Sequence, residues 1–184
     1  MNMAMIARSL TAWVGRFQDL DGTVQEMFYL ASLVRKNAQA PYSHYWVGVT
    51  VQSAKTGNIY RGCNVERGSW TQTSHAEQAT LDSMVAVEGA GTKPSRLVLL
   101  AGPEGMEVFP STASDHESGG LVTDVSFNQI PSPCGHCLQC IWENCHEDGS
   151  VELYGSLPTG EVTMVTIDNA FPLKFGPVDL GVKY

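Results

Sequence analysis

The stretch that most constrains this 184-residue chain is Arg96-Leu97-Val98-Leu99-Leu100-Ala101, in which an uninterrupted apolar run follows the arginine. A strand with one wet face alternates apolar and polar residues, and this one does not, so it reads as a strand buried on both faces. Helical cover is available nearby. Residues 23–36 carry Val24, Met27, Phe28, Leu30, Ala31, Leu33 and Val34 at close to a 3.6-residue period, which predicts a helix that Pro41 prevents from continuing. Residues 45–53 and 59–65 are rich in Val, aromatics and Ile, and Lys55-Thr56-Gly57-Asn58 between them supplies turn chemistry, so they read as a hairpin. A second helix is expected over 75–87, stopped by Gly89 and Gly91, and a third over 134–145. Strands are expected at 151–155 and 162–167, before a loop-rich tail. The pattern is α/β, helices packed on a mixed sheet, in a single domain spanning 1–184. Residues 1–22 are read as an N-terminal extension. Residues 102–131, dense in Gly, Pro, Ser and acidic side chains, are read as an insertion or long loop with a short strand around 121–127.

Charge narrows the function. Eleven Lys and Arg against nineteen Asp and Glu leave a net charge of −8, with no basic run to neutralise phosphates, so nucleic acid is not expected as a partner. No apolar stretch is long enough to span a bilayer, and Arg8 interrupts the weak apolar start, so neither a membrane nor a secretory signal is expected. A cytoplasmic protein is the expectation. The five cysteines (Cys63, Cys134, Cys137, Cys140 and Cys145) are odd in number, and four crowd one short segment, which does not resemble a disulfide framework. Cys134-Gly135-His136-Cys137 has the spacing of a zinc half-site, although redox proteins share it.

Two predicted helix starts carry the chemistry. Ser74-His75-Ala76-Glu77 reads by itself as a capping box, and Ser132-Pro133 as an N-cap followed by proline. Together, H-x-E followed by P-C-x-x-C is the signature of zinc-dependent base deaminases. His75, Cys134 and Cys137 would fill three positions of a tetrahedral site and leave the fourth for water. The helix N-terminus would favour the thiolate forms. Glu77 is then free to carry protons instead of binding the metal. Cys140 is a rival ligand or a small buried side chain, Cys145 reads as buried, and His136 as tilted off the ligand face.

Further segments resemble the cytidine deaminase family. Ala40-Pro41-Tyr42-Ser43-His44-Tyr45-Trp46-Val47-Gly48 resembles its entry into the first strand, with Tyr45 where Phe is usual. Gly62-Cys63-Asn64-Val65-Glu66 resembles its second-strand motif, and Phe175-Gly176-Pro177-Val178-Asp179-Leu180 its C-terminal motif. The resemblance implies a three-layer α/β/α sandwich around a five-stranded mixed sheet. It implies one Zn²⁺ per subunit on His75, Cys134 and Cys137, and Glu77 as the proton carrier. Asn64 and Glu66 would bind the ribose hydroxyls, the backbone N–H of Ala76 the base carbonyl, and Tyr45 and Phe175 would line the base pocket, Phe175 from a neighbouring subunit. The implied reaction is deamination of cytidine or deoxycytidine, a small nucleoside substrate. A homotetramer is expected, with a homodimer as the alternative. Rival readings are a deaminase of a cytosine-containing antibiotic and a non-catalytic zinc-binding interaction domain.

Overall fold

The computed structural model describes residues 11–112 and 130–181. Its elements are β1 (Trp13–Gly15), α1 (Gly22–Arg35), β2 (Tyr45–Ser53), β3 (Ile59–Cys63), α2 (Ala76–Glu88), β4 (Pro94–Pro103), α3 (Gly135–Asn144), β5 (Glu152–Ser156), β6 (Val162–Thr166) and the short α4 (Ile167–Ala170). The six strands form one sheet in the order β1-β6-β5-β4-β2-β3. Among the described strand pairings only β4–β5 is parallel. The sheet is mixed, as expected, but has one strand more than the five the resemblance implies. The extra strand comes from the N-terminal extension, where Val14 pairs with Thr163 on the edge strand β6. Three residues are too few to show an alternating pattern, so β1 exists through its pairing and leaves no local signal.

The apolar run at residues 97–101 lies inside β4, near the centre of the sheet. Leu97 and Leu99 face a core cluster with Leu81 and Met84 of α2 and Leu138 and Ile141 of α3. Val98 and Leu100 face the opposite cluster, with Val24, Met27, Phe28 and Ala31 of α1. Each fully buried side chain of this size contributes roughly 1.5–3 kcal/mol, so the run stabilises both layers at once. α1 starts where the Asp21 carboxylate accepts from Thr23 and Val24 N–H, at 3.0 and 3.1 Å. It lies close on β2: a Cβ on Gly48 would come within 2.3 Å of the Ala31 carbonyl oxygen. The β2–β3 turn needs Gly57 at φ +75.

Both helix starts that bear on the site differ from the capping expectation. His75, not Ser74, is the N-cap of α2, and no side chain caps it. The Ser74 backbone exchanges two hydrogen bonds with Val65 instead, at 2.9 and 3.0 Å. Cys134, not Ser132, is the N-cap of α3, and the Ser132 hydroxyl donates to the Pro133 carbonyl. The cap positions are taken by residues whose side chains turn toward each other. The expected strand around 121–127 lies outside the described residues. At the start of that long connection, Arg35 is buried and its guanidinium donates to four carbonyls, of Trp46, Gly102, Pro103 and Met106, at 2.8–3.1 Å. Burial lowers its pKa. It ties the end of α1 to the ends of β2 and β4.

Candidate active site

The N-termini of α2 and α3 meet on the same face of the sheet. His75 Nδ1 lies 3.6 Å from Cys134 Sγ and 3.4 Å from Cys137 Sγ. The three donor atoms lie within 4.8 Å of one another. Zinc bound tetrahedrally at about 2.3 Å to sulfur and about 2.05 Å to nitrogen requires N···S separations of about 3.5–3.6 Å. The donor set fits the ion in kind and spacing. Burial raises the pKa of the Cys137 thiol, with the Glu77 carboxylate and Cys134 adding to the effect. In the metal-free chain, desolvation of this buried thiol works against the helix-end stabilisation of a thiolate.

Beside this group is a cavity of about 480 Å³. It is lined by His75, Ala76, Glu77 and Cys134, and by Asn64, Glu66, Trp70 and Thr73. Val47 of β2 and Leu99 and Ala101 of β4 also line it, with Ser43, Tyr45 and Ser132. Glu77 is 5% exposed, in the first turn of α2. The structure thus brings Tyr45, Asn64, Glu66, Ala76 and Glu77 into one cavity with the metal group. Cys137 sits behind it, buried. Phe175 does not line the cavity: it is 57% exposed on the C-terminal arm, where its carbonyl accepts from Gln139 Nε2 at 2.9 Å.

Asn64 and Glu66 are held tightly. Asn64 Oδ1 accepts from Val47 N–H and Asn64 Nδ2 donates to the Tyr45 carbonyl, both at 2.9 Å. Glu66 Oε2 accepts from the N–H groups of Tyr42 and Ser43, at 2.9 and 3.2 Å. A hydrogen bond with the Ser43 side chain, together with these amides, lowers the pKa of Glu66. Both residues therefore pin the strand entry that carries Tyr45. Sequence reasoning missed Ser43, Trp70, Thr73 and Ser132. Trp70 had one available signal, a lone large aromatic in a polar stretch between Glu66 and Ser74. It adopts φ +56, in a loop closed by the Val65–Ser74 bridge, and packs against Tyr42 at 5.5 Å. His136 and Cys140 are not in the donor group. Among the described residues, no helix is long and apolar enough to cross a membrane.

Residues 22–148, which contain the whole donor group, match the family model described as the cytidine and deoxycytidylate deaminase zinc-binding region. The chain belongs to this deaminase family. His75, Cys134 and Cys137 form its zinc site. A cytidine deaminase of Sporosarcina psychrophila is 27% identical over 157 residues, covering 85% of this chain and 94% of that protein. A cytidine deaminase of Photobacterium profundum is 30% identical over 145 residues, 78% of this chain but only 36% of that longer one. Among solved structures, the cytidine deaminase of Burkholderia pseudomallei superposes with a TM-score of 0.60 at 21% identity, over 82% of this chain and 97% of that one. That of Mycobacterium tuberculosis gives 0.57 at 23%, over 86% and 99%. These likenesses establish the α/β cytidine deaminase-like fold.

Proposed function

We propose that this chain hydrolyses cytidine and deoxycytidine to uridine and deoxyuridine, consuming one water and releasing ammonia. One observation carries the reading: His75 and Cys134 of the donor group and the buried Glu77 line the same cavity as Asn64 and Glu66. Bound zinc supplies Lewis-acid polarisation and brings the pKa of a coordinated water to near 7. Glu77 takes one proton from the attacking water and delivers it to N3 of the base as the C4–O bond forms. It then moves the remaining hydroxyl proton to the amine as the C4–N bond breaks, so that ammonia leaves and the C4 carbonyl forms. The N–H of Ala76, in the first turn of α2, has no carbonyl four residues back within the helix and binds the base carbonyl.

Asn64 and Glu66 take the sugar hydroxyls with capacity their existing bonds leave over: one amide hydrogen of Asn64 and the remaining lone pairs of the Glu66 carboxylate. Their lock on residues 42–47 keeps these groups, and the Tyr45 wall, in place before substrate arrives. The described lining includes two carboxylates and neither Lys nor Arg. That favours a nucleoside over its 5′-phosphate, whose dianion would face Glu66 and Glu77 unneutralised. Phe175, exposed on its arm, reaches the cavity of another copy in a homo-oligomer, a tetramer or else a dimer. The cytoplasm, where free nucleosides are salvaged, is the place for this reaction.

Ultraviolet absorbance with purified, zinc-loaded protein tests the assignment on cytidine, deoxycytidine, cytosine, deoxycytidylate and blasticidin S. The two nucleosides are turned over and the other three lag far behind. Turnover of the antibiotic or the nucleotide with inert nucleosides would reassign the substrate. No turnover of any compound by the zinc-loaded protein would favour a binding module.

A further inference from the structure

Two residues that stand out in the sequence take no part in the reaction above: His136, inside the C-x-x-C motif, and Cys140, four residues further along α3. The structure joins them to each other and to the metal group. The His136 ring lies 5.4 Å from the His75 ring, centroid to centroid, with 55° between the planes. Its Nε2 is 3.7 Å from Cys140 Sγ. Residues four apart share a helix face, so Cys140 anchors the ring from one turn below.

His75 needs such a wall. It presents Nδ1 to both sulfurs, and the tilt of its ring decides whether that nitrogen points to the metal. It caps α2 without a side-chain capping bond. Its outer flank borders a hollow of about 450 Å³, between Thr73, Gln78 and His136. An imidazole beside open space swings about χ2, a broad torsion for an aromatic ring, unless something packs against it.

We propose that His136 is a positioning residue for the zinc ligand His75: its ring, anchored by Cys140, holds the His75 imidazole with Nδ1 aimed at Cys134 and Cys137. The proposal rests on the zinc site described above. His136 acts by packing and donates no atom to the metal. Groups that orient a metal-bound histidine typically change metal affinity by about 10–100-fold when removed.

The test measures zinc affinity by competition with a chromophoric chelator, and the absorption of the cobalt(II)-substituted protein. The full chain is compared with His136→Ala, His136→Phe and Cys140→Ala, with His75→Ala as control. His136→Ala weakens zinc by about 10–100-fold and shifts the cobalt d–d bands while the thiolate-to-metal absorption persists. His136→Phe keeps a flat ring but loses the nitrogen that meets Cys140, so it falls with Cys140→Ala, between the parent and His136→Ala. Cys140→Ala keeps the ring without its anchor and falls between the parent and His136→Ala. Parent-like zinc affinity in His136→Ala overturns the proposal. So does a loss in His136→Phe equal to that in His136→Ala, which would make a ring nitrogen the active part. A parent that binds no zinc, or a His75→Ala control that binds it as tightly as the parent, would overturn the zinc reading and this proposal with it.

Discussion

Replacing Asn64 with alanine separates the proposed sugar contact from a structural one, because the side chain spends two hydrogen bonds on the backbone of β2. Asn64→Ala leaves the Val47 N–H and the Tyr45 carbonyl without their partners, each now bonded at 2.9 Å. A hydrogen bond of this kind contributes about 0.5–1.5 kcal/mol net, and a buried group left unpaired costs about 1–3 kcal/mol. Both bonds are part-buried, so the low end of the unpaired cost applies to each, and the sum is about 2–3 kcal/mol. For a chain of this size about 1 kcal/mol moves Tm by 2–4 °C, which predicts a fall of about 4–12 °C. Asn64→Asp should be no better. Its carboxylate still accepts from Val47 but sets an oxygen against the Tyr45 carbonyl, with Glu66 close in sequence. The assay is thermal and urea unfolding of zinc-saturated parent and variants, with steady-state kinetics on cytidine alongside. KM should rise and kcat should fall, since the Tyr45 wall loosens as the sugar contact is lost. If Asn64→Ala melted within about 1 °C of the parent while KM rose, the two backbone bonds would carry no weight and the structural argument would fail.

Two further outcomes follow from titrating groups. Glu88, at the end of α2, accepts from the hydroxyls of Thr56, Ser53, Thr92 and Tyr60, and these bonds, that from Thr56 foremost, bring its pKa from 4.5 down to about 2. A depressed carboxylate stabilises the fold fully above its unfolded pKa and loses that contribution as pH falls from about 4.5 toward 2; urea midpoints should drop more steeply across this window in the parent than in Glu88→Gln, and parallel curves would contradict the assignment. At the metal, the buried Cys137 thiol holds its proton when zinc is removed, so zinc uptake must release it and affinity must climb with pH. Chelator competition at about pH 6 and pH 8 reads proton release by the ligand set, Cys137 included, and a pH-independent affinity would mean that the metal-free thiol is already ionised.

Local pattern made much of this fold legible. The bounds of β2 match its run of Val, Thr and aromatics, and the lack of alternation in β4 called for cores on both faces, which it has. What escaped was decided by partners distant in sequence. β1 is three residues long and depends on β6. Both helix caps were misplaced, because Ser74 and Ser132 are good capping residues locally while tertiary structure needs His75 and Cys134 at those positions. The metal group was readable because its spacing is short and chemically specific. The cavity wall was only half readable. Asn64 and Glu66 belong to a motif, whereas Ser43, Thr73 and Ser132 are ordinary loop residues that reach the cavity only because β2, β3 and α3 converge there. Phe175 was legible as a motif residue, but one chain does not bring it to its own cavity.

The central claim is that zinc held by His75, Cys134 and Cys137 works together with Glu77 as proton carrier on a cytidine-type base. The most direct measurement is the rate of cytidine absorbance loss for parent and Glu77→Gln, with zinc content determined on the same samples. The parent should turn cytidine over, and Glu77→Gln should retain its zinc while losing about 10²–10⁴-fold in kcat, because an amide neither takes nor returns the proton. A zinc-loaded Glu77→Gln protein working within a few-fold of the parent would contradict the account, as would zinc loss in step with the loss of activity.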